Sequence, residues 1–453
     1  MARAVSDGDL RARLDKAIGH ALATRADRVC ERPDWEALRD EAAHARRAAL
    51  RHLPRLVEEF EGAARAAGTG VHFARTAGEA RRVIAGLVGR PRAALVKSKS
   101  MVTEEIDLRP YLAARGVSVI ETDLGEYIVQ LAGEKPSHIV APVIHMSAGD
   151  IARVFNAKLG LGLAEDADPR TISLAAREHL RPRFLEAEVG MCGANLVAAR
   201  EGAAVVCTNE GNGALSTCLP ERLVVVTGIE KLMPTLASLA PLLLLLGSSA
   251  TGQRQTCYTH AIRGPSGADG VGPRAVDVVL VDSGRSAMLA HPVLWEALAC
   301  IRCGACMHVC PIYTRTGGQA YGWIYPGPIG IAISGHIGGC GERRIADACT
   351  LCGACAEICP VRIPLPDCIL EVRRLRVEGR SLLKRELSAW LGSAAFRKPW
   401  LWQQGGRELR AALRKGRRPR RGPGAAWTSV HEPPRAPDAS FSELWRREER
   451  RDG

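Results

Sequence analysis

The alternation of apolar and polar positions divides the chain into four stretches. In residues 1–69, "DWEALRDEAAHARRAALRHLPRLVEEFEGAARAAG" sets Leu38, Leu50, Leu53, Leu56, Val57 and Phe60 at near-helical spacing among charges. That pattern predicts helices with one buried face, stopped by Gly68 and Gly70. From 70 to 290, short apolar runs alternate with helix-period segments. "AALVK" (93–97), "VSVIE" (117–121), "AAVVCT" (203–208), "LVVVTG" (223–228) and "VDVVLVD" (276–282) predict buried strands. "AGEARRVIAGLVG" and "DLRPYLAARG" predict helices between them. Strand and helix in alternation make an α/β domain with a largely parallel sheet, which binds ligands at the carboxyl ends of its strands. Residues 291–375 are rich in cysteine and glycine, and little regular structure is expected there. Residues 376–453 begin with a helical segment, pass through a basic stretch and end in a polar tail.

The longest apolar run, "LASLAPLLLLLG" (236–247), is shorter than the roughly 20 residues a membrane helix needs, and Pro241 breaks it. It is expected to be a buried helix. The start, "MARAVSDGDLRARLDKAIGH", carries charges throughout, so no secretory leader is predicted and a cytoplasmic location is expected. The formal net charge is +13, and much of the excess lies in "RKPWLWQQGGRELRAALRKGRRPRR" (397–421). No nucleic-acid-reading motif accompanies that charge, which favours a solvated extension over a DNA or RNA contact. Fifteen cysteines in a chain of 453 residues without a leader point to metal or redox work rather than a disulfide scaffold.

Eight of those cysteines form a repeat. "CIRCGACMHVCP" (300–311) returns as "CTLCGACAEICP" (349–360). Three cysteines spaced by two residues can take three corners of an iron–sulfur cubane. A fourth, set off by three residues and followed by proline, ligates the other cluster in two-cluster ferredoxins. Cys300, Cys303, Cys306 and Cys359 are therefore expected to hold one [4Fe–4S] cluster, and Cys349, Cys352, Cys355 and Cys310 a second. Two clusters in one module make an electron-transfer wire. A zinc ribbon uses two pairs rather than two quartets, and a purely structural cluster is the other alternative. Cys30, Cys192, Cys207, Cys218, Cys257 and Cys368 lie singly and are expected to be small core residues. Cys340 is a spare thiol between the motifs.

Three polar loops follow apolar runs in the α/β stretch. "VKSKSMVTEE" (96–105) puts Lys97 and Lys99 at a strand end, with Ser100 or Thr103 as a helix cap. "VGMCGAN" (189–195) predicts a tight bend at Gly190 and Gly193, and "CTNEGNGALST" (207–217) a polar turn. Lys97, Lys99, Glu104, Glu105, Asn209, Glu210 and Asn212 are candidates for binding a carboxylate and moving a proton, which needs hydrogen-bond reach. No G-x-G-x-x-G fingerprint marks a dinucleotide site.

The stretches "VKSKSMVTEE", "ETDLGEYIVQLAGEKPSHIVAP", "TNEGNG", "GIEKLMPTL", "SATGQ", "RCGAC" and "YGWIYPGPIG" resemble the lactate utilization protein B family, in that family's order, from about Val71 to Leu375. The tail "SFSELW" resembles the family's C-terminal end. "GMCGAN" and "AISGHIGGCGERRIADA" differ from the family's forms. The resemblance implies an α/β lactate-utilization (LUD) domain, similar to sugar-isomerase and CoA-transferase folds, followed by an α-helical ferredoxin-like domain with two [4Fe–4S] clusters. It implies an electron-transfer role in oxidation of L-lactate to pyruvate. It also implies two partner subunits, a cysteine-rich iron–sulfur protein and a smaller α/β-domain protein. Two other expectations stay open: a chain that itself acts on lactate or another 2-hydroxy acid such as glycolate, and a redox-sensing iron–sulfur regulator.

Overall fold

The computed structural model describes residues 2–90, 94–266, 272–337, 343–378, 397–415 and 435–449, with positions 387, 390, 393 and 432. Cys340 lies outside the described residues, as does part of the basic stretch. Two compact units are present: residues 7–373 with Met1, and residues 374–453 with Ala2–Ser6. Within the described part of the second unit, the helices Pro399–Arg414 and Phe441–Glu449 are tied by an Arg410–Glu443 ion pair of 2.9 Å.

Among the described residues, the first unit has ten strands: β1 (Gly70–Ala74), β2 (Leu95–Lys97), β3 (Val119–Glu121), β4 (Val189–Gly193), β5 (Leu196–Ala198), β6 (Ala203–Thr208), β7 (Arg222–Gly228), β8 (Leu232–Met233), β9 (Tyr258–Ile262) and β10 (Ala275–Val281). Six of them form an all-parallel sheet in the order β1-β10-β7-β4-β2-β3. The other four make a mixed sheet, β8-β5-β6-β9. Successive strand residues face opposite sides, so Leu95 enters one apolar cluster with Ile84, Val224 and Val279, and Val96 another with Tyr127, Phe155 and Ile172. Both faces of the parallel sheet are covered, which is why its strands read as unbroken apolar runs.

Several expectations are corrected. The segment "VGMCG" is a strand rather than a bend. Gly190 is required there because a Cβ would lie 2.0 Å from the carbonyl oxygen of Ser216 in the helix packed on it. Gly70 opens β1 instead of stopping a helix. The preceding helix ends at Ala66, and Gly68 turns the chain with φ of +84°. Cys30, Cys218 and Cys257 are exposed and Cys207 is half-buried; only Cys192 and Cys368 of the single cysteines are core residues. Cys30 and Cys218 end helices and Cys257 precedes β9, so none faces a core.

The run at 236–247 begins in a short 3-10 turn, Ala237–Leu239, and continues in a helix, Ala240–Thr251, that buries Leu242, Leu245 and Leu246. Among the described residues no helix is long and apolar enough to cross a membrane. The N-terminal helices Gly8–Cys30 and Trp35–Arg51 reach the cysteine region through arginines. Arg39 donates to the carbonyls of Glu357 and Cys359, Arg46 to those of Leu298 and Ala299, and Arg47 to that of Arg362. Arg46 is fully buried, and its charge is spent on carbonyl oxygens that close the turn before Cys300.

Candidate functional site

The two cysteine repeats share a backbone as well as a sequence. Arg302 and Leu351 occupy the same repeat position, with φ of 62° and 55°; Gly304 and Gly353 follow at 82° and 87°. Each glycine leads into a short helix, Ala305–His308 or Ala354–Glu357. A left-handed residue that is not glycine costs roughly 1–2 kcal/mol. The cost is offset by what it orients: the Arg302 amide donates to Cys300 Sγ at 3.3 Å and the Leu351 amide to Cys349 Sγ at 3.4 Å. The Ile363 amide likewise donates to Cys359 Sγ at 3.4 Å. Amide donors of this kind lower the energy of a thiolate sulfur and tune the potential of a bound cluster.

The thiols gather across the motifs. Cys300, Cys303, Cys306 and Cys359 line one cavity with about 350 Å³ of empty space, open mouth included, walled by Ile329, Val361 and Leu365. Burial pushes the Cys306 thiol well up, and its neighbours Cys300, Cys303 and Cys359 push it further. Burial likewise raises Cys355 to about 12, helped by Cys349, Cys310 and Cys352. Each group of four thus takes three members from one motif and its last from the other. None of the eight is in a disulfide. Among the described residues no three or more Cys, His, Asp or Glu are gathered tightly enough for a single metal ion. A cubane takes its thiolates at wider spacing, because each binds a different iron. The all-thiol donor set and the amide donors fit iron–sulfur clusters.

A second cavity lies at the carboxyl ends of β2, β4 and β7. Its empty space is about 1270 Å³, open mouth included. Ser98–Val102 follow β2, Gly193–Asn195 end β4, Glu230 and Lys231 follow β7, and Cys207–Glu210 come from the end of β6 and its loop. Ile301, Arg302 and Tyr325 complete the wall, and Ile301 and Arg302 also line the cysteine cavity. The two cavities share that stretch of chain.

The polar candidates fall into two sets. Lys99, Asn209 and Glu210 line the cavity. Burial raises the Glu210 carboxyl and Asp123 adds to it. Asn212 lies behind, donating to the Thr122 carbonyl at 2.9 Å and to Glu210 at 2.6 Å. Lys97 and Glu104 are not on the cavity wall. Lys97 is buried beneath it, 2.8 Å from Glu121 and 3.3 Å from Glu104. Burial opposes its charge, but those carboxylates outweigh burial and hold its pKa up. Glu105 lies deeper still, in a bidentate pair with Arg285 at 2.8 Å for both bonds.

The residues missed from sequence are Glu230, Lys231, Arg302 and Tyr325. Arg285, fully buried, joins Glu105 to Glu230, the latter at 2.5 Å. Tyr325 donates to Glu105 at 3.0 Å, and Arg302 lies 4.6 Å over the Tyr325 ring. Burial works against ionisation of Glu230, yet Arg285, Lys231 and Arg302 bring its pKa down to about 2. Lys231 donates to the Cys300 carbonyl at 3.3 Å, and burial lowers its pKa to about 7. A signal was present: "GIEKLMPTL", "RCGAC" and "YGWIYPGPIG" are the stretches that carry these four residues.

The LUD domain family matches residues 57–281, and the 4Fe-4S dicluster domain family matches residues 296–363. An Escherichia coli protein named uncharacterized electron transport protein YkgF is 40% identical over 86% of this chain and 83% of its own length. Lactate utilization protein B of Macrococcus caseolyticus is 39% identical over 80% of this chain and 78% of its own. The protein of the same name from Bacillus cytotoxicus is 36% identical over 99% and 96%. A solved DUF162 family protein from Deinococcus radiodurans shares 13% identity, covers 51% of this chain and 98% of its own, and superposes with a TM-score of 0.30.

Proposed function

The chain belongs to the lactate utilization protein B family, and from that premise we propose that it is an iron–sulfur electron carrier for oxidation of L-lactate to pyruvate. The observation that carries this reading is the crosswise gathering of two thiol quartets, one of which shares a wall with the α/β cavity. Cys300, Cys303, Cys306 and Cys359 would hold one [4Fe–4S] cluster, and Cys349, Cys352, Cys355 and Cys310 the other. Bound clusters of this type supply one-electron redox steps, and a 2-hydroxy acid releases two electrons on becoming a keto acid.

The protein's own groups divide the labour unevenly. The first quartet is the more enclosed: Cys303, Cys306 and Cys359 are buried, Ile329, Val361 and Leu365 wall them, and Arg39, Arg46 and Lys231 donate to backbone carbonyls of Cys359, Ala299 and Cys300. The second quartet is open, with Cys352 exposed and Leu351 36% exposed beside it. An enclosed site toward the cavity and an open site toward solvent suit entry at one end and exit to a partner at the other. The partners proposed are the two further subunits of the lactate-utilization system, in the cytoplasm. The working division is a helical segment (1–69), the LUD domain (70–290), the cluster domain (291–375) and a basic extension (376–453).

The test is an anaerobic preparation assayed for iron and titrated with dithionite at ~400 nm, where thiolate-bound clusters absorb. About eight irons per chain, two reduction steps, and bleaching by L-lactate once the co-purified partners are added are expected. Clusters that dithionite reduces but lactate does not, partners present, would defeat the lactate role.

A further inference from the structure

We propose that the floor of the α/β cavity is a binding site for a small 2-hydroxy carboxylate, with Arg302 and Lys231 receiving the carboxylate and Glu230 accepting from the hydroxyl. The inference rests on the electron-carrier reading for its choice of ligand and on the cavity alone for its chemistry.

The cavity has a wet rim and a dry floor. Asn209 and Glu210 at the rim are exposed, whereas Glu230 is 1%, Lys231 5% and Tyr325 2% exposed. Buried polar atoms almost always find hydrogen-bond partners. Two on this floor do not: Arg302 Nη1 and Glu230 Oε1. Arg302 Nη2 and Glu230 Oε1 stand 3.9 Å apart, close enough for charge attraction but too far for a direct hydrogen bond. Lys231 Nζ makes one hydrogen bond, to the Cys300 carbonyl, and has donor capacity left over.

The unspent capacity has a definite pattern. Two donors, the Arg302 guanidinium and the Lys231 amine, and one anionic acceptor line the same cavity. A carboxylate satisfies the donors, and a hydroxyl on the adjacent carbon satisfies the acceptor while Arg302 and Lys231 hold the acid group. A simple carboxylate leaves Glu230 Oε1 unpaired, and a simple alcohol leaves the Arg302 and Lys231 donors unpaired. The floor is also held rigid. Arg285 fixes the other oxygen of Glu230 at 2.5 Å, and the Tyr325 ring lies against the Arg302 guanidinium. A ligand seated on Arg302 would sit against the stretch of chain that lines the first thiol quartet.

The experiment is equilibrium dialysis of the oxidised, iron-loaded chain against L-lactate and against propionate, its analogue without the hydroxyl. Sites built to pair a ligand hydroxyl reject the analogue that lacks it strongly. Saturable lactate binding is expected, with propionate at least tenfold weaker. Lys231→Gln and Arg302→Gln should each weaken lactate binding at least tenfold while iron content stays at the wild-type level. If either variant loses iron, the lactate–propionate comparison on the unmodified chain decides. Absent lactate binding, equal affinity for the two acids, or unchanged affinity in both iron-loaded variants would overturn the site. Binding is read without electron transfer, so this proposal can fail while cluster reduction succeeds, and the converse.

Discussion

The crosswise cluster assignment makes a prediction that a within-motif assignment reverses. Cys359 lies in the second motif but lines the cavity of the first quartet with Cys300, Cys303 and Cys306. Each [4Fe–4S] cluster accounts for about four irons, so the full chain should carry about eight. Cys300→Ala and Cys359→Ala remove corners of the same cluster and should each lose up to about four irons. Combined, they should lose no more than either alone, because two changes to one unit are not additive. Cys359→Ala with Cys352→Ala strikes both quartets and should lose nearly all the iron. If each motif instead held its own cluster, the first pair would empty the protein and the second would spare half. Iron per chain, measured anaerobically beside the absorbance near ~400 nm, separates the two arrangements. Near-complete loss in Cys300→Ala/Cys359→Ala, with half retained in Cys352→Ala/Cys359→Ala, would refute the assignment.

The remaining predictions concern the charges around the sites. Arg285→Met would strand two carboxylates, Glu105 and Glu230, that are 0% and 1% exposed. Removing one partner of a buried pair costs about 3–5 kcal/mol. The drop of Glu230 from 4.5 to about 2 is worth about 3 kcal/mol by itself. A urea midpoint shift equivalent to less than about 1 kcal/mol would show that the pair is not what holds this region. The sign with pH is fixed. Glu230 is held below its unfolded value, so its contribution is present above pH 4.5 and is lost as pH falls toward 2. Arg285→Met should flatten that acid limb. Arg46→Met removes a buried cation near Cys300 and should lower the potential of the enclosed cluster while leaving the open one unmoved. Equal shifts at both clusters in a redox titration would contradict the separation of the two sites.

What could be read from sequence follows from how each feature is encoded. β7 and β10 are apolar on both faces, so "LVVVTG" and "VDVVLVD" announce themselves. β4 does not, because two glycines and a cysteine hide a central strand whose close neighbour forbids a larger residue at Gly190. β1 is short and carries His72, whose ring pairs across the sheet with Asp277 at 2.9 Å. The strand at 203–208 is legible as a strand but not as a member of the second sheet, since its antiparallel pairing with β9 is a long-range fact. At the cysteines, the repeated spacing is what proposes the grouping of three thiols from one motif with the last of the other. At the cavity, loops that end strands point to Lys99, Asn209 and Glu210. Lys231 and Arg302 are far apart in sequence, and only the fold brings them to one floor.

The two repeats share one backbone and present it to different surroundings. Both hold the residue after the motif's second position in a left-handed conformation, because its amide must reach the first cysteine sulfur. That requirement falls on the backbone and leaves the side chain free. In the first repeat the side chain is Arg302, drawn inward over Tyr325 to the shared wall of the two cavities. In the second it is Leu351, turned to solvent beside the exposed Cys352. An arginine suits the inner position because a bound cluster with four thiolates is anionic, and a buried anion needs a nearby cation. A leucine suits the outer position because an apolar residue at the protein surface costs little alone and gains when a partner covers it. The same left-handed turn therefore faces the α/β cavity at one repeat and solvent at the other, and the side chain it carries, Arg302 or Leu351, is part of that difference.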